Sequence, residues 1–346
     1  MPRAARRGIV AVRQNMMNRW GDRMEFGFNL PNGGPLARPD TLSLIAARGE
    51  QLGFGIFAIP DHIIFPTADI HSRYPYTLDG KYVAGQNEGG DVLEPLAMLA
   101  YLAGVTKKAR LLLSVLVVPY RHPVLTAKLL STADLLSNGR VVCGIGVGWM
   151  EQEFAPVGAP PFAERGKVTD EYVAIYRELW TNPEPRYKGQ YCNVEGIVFS
   201  PRPVQKGGIP IWVGGETEPA MRRTARYADG WYPICSNPKH PLDTLPKFKA
   251  GIEKVRRYAE EAGRNPDNIK IASWVVWPPG DHREKLPSGD PKLFTGRADD
   301  MAADIDAFTK LGVTSLMFRF MRADLPQTLD AMTWFAEEVM PKVKAR

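Results

Sequence analysis

Short apolar runs rich in β-branched and aromatic residues alternate along the chain with longer stretches whose apolar positions recur every three or four residues. The first pattern predicts buried strands and the second predicts helices lying on them. Strands are expected at 24–30, 54–59, 111–118, 141–147, 209–213, 229–232, 269–276 and 314–320. Helices are expected at 41–52, with Asp40 as cap, and at 93–104, 168–180, 218–227, 242–262, 299–311 and 325–343. Between the third and fourth strands, Leu125, Leu129, Leu130, Ala133 and Leu136 predict the apolar face of another helix, stopped by Ser137-Asn138-Gly139. A hairpin is expected around 187–199.

Eight strands, nearly every one followed by a helix, favour a closed α/β barrel, the (β/α)8 TIM barrel with insertions in its βα loops, over an open sheet. Chemistry in such barrels sits at the C-terminal ends of the strands. Residues 63–92 break the alternation; a segment this long after a strand's C-terminal end suits a lid facing a substrate.

Charge changes the picture little. The net charge is +6, but Arg3, Arg6, Arg7, Arg13, Arg19 and Arg23 against Asp22 place five of those charges in residues 1–23. The body at 24–346, read as one domain, is nearly neutral, so nucleic acid is not expected as a partner. The leader lacks the apolar core of a secretory signal and reads as a disordered extension. No run of about 18 apolar residues predicts a membrane span. Cys143, Cys192 and Cys235 are odd in number and widely spaced, as buried thiols of a cytoplasmic protein would be. The histidines have no metal-ligand spacing with acids or thiols, so no metal is expected.

Sorting residues by position gives the candidates. Asp61-His62 ends the second strand, where an imidazole could stack on a planar ring or act as base; the alternative is a capped turn with a packed histidine. Ser114-Val115 lies inside the third strand, where the hydroxyl needs a partner, whether a nearby carbonyl or a cofactor above it. Gly144, Gly146 and Gly148 permit close backbone approach, but Trp149 and Glu151 stand where a dinucleotide fingerprint needs glycine. Gly214-Gly215 precedes a helix start that could hold an anion, although Glu216 and Glu218 oppose that use. Arg121, after the third strand, could hold an anion or meet solvent.

In their order and spacing, Ile59-Pro60-Asp61-His62, Ser114-Val115-Leu116-Val117, Tyr120-Arg121-His122-Pro123, Leu136 to Arg140, Gly144 to Trp149, Ile211 to Gly215 and Ala228 to Trp231 resemble the bacterial luciferase-like superfamily of flavin and deazaflavin oxidoreductases. Within it the chain is most similar to the coenzyme F420-dependent branch. The resemblance implies a barrel with a ring cofactor at its C-terminal mouth, Asp61 and His62 beside the ring as catalytic residues, and a cis Ser114–Val115 peptide behind it. It also implies a phosphate region near Gly146, Gly148, Gln152, Gly214 and Gly215. The expected activity is hydride transfer between coenzyme F420 and a small organic substrate, with an FMN-dependent monooxygenase or a non-catalytic flavin-binding barrel as alternatives. Homodimers are a family expectation. Trp149 replaces a glutamate found after the glycine loop in some sugar-phosphate dehydrogenases of this type, which disfavours a sugar phosphate as substrate.

Overall fold

In the computed structural model, residues 24–67, 71–82, 91–276 and 278–344 are described. The expected extension at 1–23 lies outside them, as do 68–70 and 83–90 of the expected lid. Eleven strands are present among the described residues: β1 Glu25–Asn29, β2 Ile56–Ile59, β3 Arg110–Leu113, β4 Leu116–Val117, β5 Val141–Gly146, β6 Tyr187–Lys188, β7 Asn193–Val194, β8 Ile211–Gly214, β9 Gly230–Tyr232, β10 Lys270–Trp274 and β11 Val313–Phe318. Apart from the small antiparallel β6–β7 hairpin, they pair in parallel, and β11 returns to β1 through Glu25↔Ser315. With β3 and β4 as two halves of one interrupted strand, the result is a closed eight-stranded (β/α)8 barrel.

Alternation along the strands sorts side chains between two cores. Ile56, Ala58, Leu112, Val142, Trp212, Tyr232, Ala272 and Met317 form one cluster, as residues pointing into a barrel would. Their neighbours Phe57, Ile59, Leu111, Leu113, Val141, Cys143 and Ile211 join the larger cluster beneath the helices. Glycine is required where strands press together: a Cβ on Gly144 would sit 2.0 Å from the Leu113 carbonyl oxygen. At the N-terminal end, Glu25 accepts from the Arg110 guanidinium, which lies 5.2 Å from the Trp212 ring centroid.

The helices are α1 Pro39–Gln51, α2 Pro95–Val105, α3 Pro123–Leu136, α4 Arg165–Thr181, α5 Glu218–Tyr227, α6 Leu245–Glu261, α7 Ala298–Lys310 and α8 Leu325–Trp334. Four local expectations are modified. Asp40 does not cap α1: Arg38 holds the N-cap position and Pro39 opens the helix, leaving Asp40 in the first turn, where its charge still suits the helix dipole. The expected apolar face of α3 is its core face only at Leu130 and Ala133. Leu125, Leu129 and Leu136 are 57%, 42% and 61% exposed, while Ala127, Leu130, Ser131, Ala133 and Asp134 are buried. The helix is fixed by polar pairing: Asp134 accepts from Val204 N at 2.9 Å and Gln205 Nε2 at 2.7 Å, and Trp180 donates to the Ala127 carbonyl. The expected third strand is also interrupted, at a cis peptide between Ser114 and Val115. The expected final helix keeps α-helical form only to Trp334.

Candidate active site

Beyond the C-terminal ends of β2, β4, β5, β8, β9 and β10 lies a cavity of about 1080 Å³. His62 reaches it from the segment after β2. Its Nδ1 lies 2.9 Å from Glu153 Oε2, and Glu153 also accepts from Ile63 N at 3.1 Å, Ile64 N at 3.4 Å and the Tyr120 hydroxyl at 2.8 Å. Burial, then the Glu153 charge, pushes the Tyr120 phenol far up, which keeps it a neutral donor. A carboxylate that only accepts assigns the His62 proton to Nδ1 and leaves Nε2 for a ligand. Phe65, Tyr82 and Trp149 pack around the imidazole, with ring centroids at 5.0, 5.3 and 6.1 Å. Glu153 is fully buried, and sequence reasoning missed it, because no local signal sets it apart from Glu151 two residues earlier.

Asp61 is also on this wall, but its carboxylate is occupied. It accepts from Val117 N at 2.8 Å and from both Arg121 terminal nitrogens at 2.8 and 2.9 Å, while Arg121 Nε donates to Glu94. Burial opposes charge on Arg121, yet Asp61 and Glu94 outweigh it and push its pKa up. Arg121 is therefore committed to two carboxylates rather than waiting for an anion.

The floor joins the two glycine motifs. Val115 is wedged between them: a Cβ on Gly146 would lie 2.7 Å from its Cγ2, and one on Gly214 would lie 3.0 Å from its Cγ1. Any larger residue at either glycine would push Val115 into the cavity. Gly148 and Gly215 also line it, with φ of +86° and +103° that favour glycine. Ser114 is 3.0 Å from the Tyr232 hydroxyl, so its partner is a phenol rather than a nearby carbonyl. Gln152 stands apart from the lining residues; its Oε1 accepts from Ser72, whose hydroxyl in turn accepts from Glu151 N, fastening the 71–82 segment beside the mouth. From that segment Tyr74 packs 5.0 Å from Trp149 and 4.9 Å from Tyr82.

Three further polar groups lie on the wall: Arg165 and Trp274, which the sequence did not single out, and Glu216, which entered it only as a charge opposing an anion. Arg165 opens α4, lies 3.9 Å from the Phe162 ring centroid and has a buried Nε without a partner. The Trp274 indole N–H is likewise buried and unpartnered. Glu216 is 3% exposed and accepts from Ile234 N at 2.5 Å and Asn237 Nδ2 at 3.0 Å, but burial outweighs these donors and pushes its pKa up to about 7. A cavity of this size with apolar walls, glycine-backed approach and unpaired donors fits a large planar ligand with polar edges.

Residues 24–286 match the family described as luciferase-like monooxygenase. The chain belongs to this family. An uncharacterised protein of Mycobacterium tuberculosis is 35% identical to this luciferase-like chain over 230 residues, covering 66% of it and 75% of the relative. An F420-dependent glucose-6-phosphate dehydrogenase of Amycolatopsis mediterranei is 25% identical over 344 residues, covering 89% of the chain and 95% of the relative. Among solved structures, the coenzyme F420-dependent tetrahydromethanopterin reductase of Methanopyrus kandleri superposes with a TM-score of 0.70 at 18% identity, covering 93% of this chain and all of that one; this likeness speaks for the barrel alone. Among the described residues of the luciferase-like chain, no group of three or more His, Cys, Asp or Glu could hold a metal ion, and no helix is long and apolar enough to cross a membrane.

Proposed function

We propose that this luciferase-like protein transfers a hydride between coenzyme F420 and a small organic substrate. The observation that carries the reading is the Val115 floor between Gly146 and Gly214, with His62 held by Glu153 on the adjoining wall. A planar ring resting there would have apolar support below and the His62 Nε2 at its edge. Ser114, Gly148 and Gly215 complete the bed, and Arg165 at the start of α4 offers an unpaired donor for an anionic substituent. The F420-dependent relative matched along nearly its whole length supports a deazaflavin over a flavin.

The coenzyme, when bound, supplies the hydride chemistry; the protein supplies position and electrostatics. Glu153 fixes the tautomer and orientation of His62. Asp61 acts through Val117 and Arg121, setting the backbone beneath the ring, rather than as a free acceptor. Trp149 and Tyr74 keep water from the mouth. Gln152 serves as a latch for the 71–82 segment. We further propose that residues 24–346 act as one domain in the cytoplasm, and the exposed Leu125, Leu129 and Leu136 give a homodimer a surface that sedimentation can test.

An FMN-dependent monooxygenase is the second reading, favoured by the family's description. Titration with each reduced cofactor separates the two. Quenching by F420 without oxygen uptake supports hydride transfer. Oxygen uptake with FMN and no F420 binding overturns it, and tight binding with no oxidation of the reduced coenzyme across a substrate panel supports a non-catalytic barrel.

A further inference from the structure

The β8–β10 side of the cavity carries chemistry that cofactor binding does not use. Glu216 Oε1 is held by Ile234 N, and the backbone of Ile234 bridges to that of Trp274, so the buried carboxyl and the residue that carries the unpartnered indole N–H come from neighbouring strand ends. Glu216, Ile234 and Trp274 all line the cavity. We propose that Glu216 is the acid–base residue of the reaction and that the substrate is an uncharged carbonyl compound, with the Trp274 N–H as a donor to its oxygen. This rests on the hydride-transfer reading above.

A buried acid on this wall selects against anionic substrates, and an unsatisfied donor selects for an oxygen or nitrogen acceptor. When hydride adds to a carbonyl carbon, a C–H bond forms, the C=O π bond breaks and its electron pair goes to oxygen. The Glu216 proton then passes to that oxygen, giving an alcohol and a carboxylate, which solvent reprotonates. The two electrons come from the reduced coenzyme. In the opposite direction the carboxylate takes the alcohol proton. In a conjugated enone the hydride enters at the β carbon and the proton follows by way of the enolate.

The groups facing Glu216 leave it well placed for this exchange. Tyr74 and Tyr76, from the segment after β2, are both pushed up by burial, Tyr74 to about 12, with Glu216 adding to the shift in each; Arg319 works against it at Tyr74. Cys235, after β9, is pushed up to about 12 by burial, with Glu216 and Asp243 adding to it. These three stay neutral where Glu216 titrates. Glu218 and His240 line the same cavity, and the Glu218 carboxylate is engaged in an ion pair with Arg222.

The test begins with fluorescence titration of F420 into wild type, E216Q and E216D. Oxidation of the reduced coenzyme is then followed with cyclohexanone and cyclohex-2-en-1-one as probes. Wild type is expected to oxidise it with at least one probe, at a rate that falls as pH rises through about 7. E216Q is expected to bind F420 within about twofold of wild type but to lose about 100-fold in kcat and the fall with pH, both partly restored in E216D. On cofactor-free protein, infrared spectra at pH 6 and pH 8 are expected to show a neutral carboxyl band that titrates in wild type and is missing in E216Q. Failure of F420 to bind overturns the cofactor reading and this assignment with it. Binding without oxidation by either probe, an E216Q rate and pH profile matching wild type, or no titrating band overturns the assignment alone.

Discussion

Two buried glutamates flank the same cavity, Glu153 behind its wall and Glu216 on it, and they differ in how many donors hold them. Glu153, beneath the β2–β5 side, accepts from His62, Tyr120 and two backbone N–H groups. Glu216, on the β8–β10 side, accepts from one backbone N–H and one amide, and burial pushes its pKa up to about 7. A carboxylate surrounded by donors works as a fixed anchor, whereas one with few donors is free to exchange its proton. One side of the mouth is therefore built to position, the other to react.

The sharpest way to break the comparison is to remove the anchor. Glu153→Ala strands a histidine, a phenol and two backbone donors, so unfolding in urea is expected to show a loss of about 3–5 kcal/mol. A loss below about 1 kcal/mol would mean the network is not structural.

Glu216 is expected to show the opposite behaviour with pH. Its folded pKa is raised from 4.5 to about 7, so the folded protein keeps a proton that the unfolded chain has released. The stability this adds is full below pH 4.5 and is lost as pH rises through about 7. Relative to E216Q, wild type should lose up to about 3 kcal/mol across that window in denaturant titrations. A flat difference would contradict the environment assigned to Glu216.

A smaller effect probes the floor. Gly146→Ala forces Val115 toward the cavity and is expected to weaken cofactor binding about tenfold, or about 1.4 kcal/mol, in fluorescence titration. Smallest of all, Leu129→Gln and Leu136→Gln should leave stability within about 0.5 kcal/mol, because these side chains lie outside the core.

That last pair marks where the sequence was ambiguous. Strands buried on two faces stand out as apolar runs, so the barrel and its strand order were legible. The strand-end rule picked out His62, Gly146, Gly148, Gly214 and Gly215, the family resemblance added Ser114 and Val115, and all seven line one cavity. The α3 leucines follow helical spacing as well as its buried residues do, and a pairing between Asp134 and Gln205, 71 residues apart, decides which face turns inward. Glu153 lies 91 residues from His62, and nothing local separates it from Glu151. Glu216 was read as an obstacle to phosphate, because a sequence shows an acid's charge but not its burial.

The central claim is a deazaflavin on the Val115 floor, and the most direct measurement is titration of the purified protein with F420 and with FMN under identical conditions. The account predicts that F420 binds about 30-fold more tightly, a difference of about 2 kcal/mol. Tighter binding of FMN, with oxygen consumed when it is reduced, would contradict it.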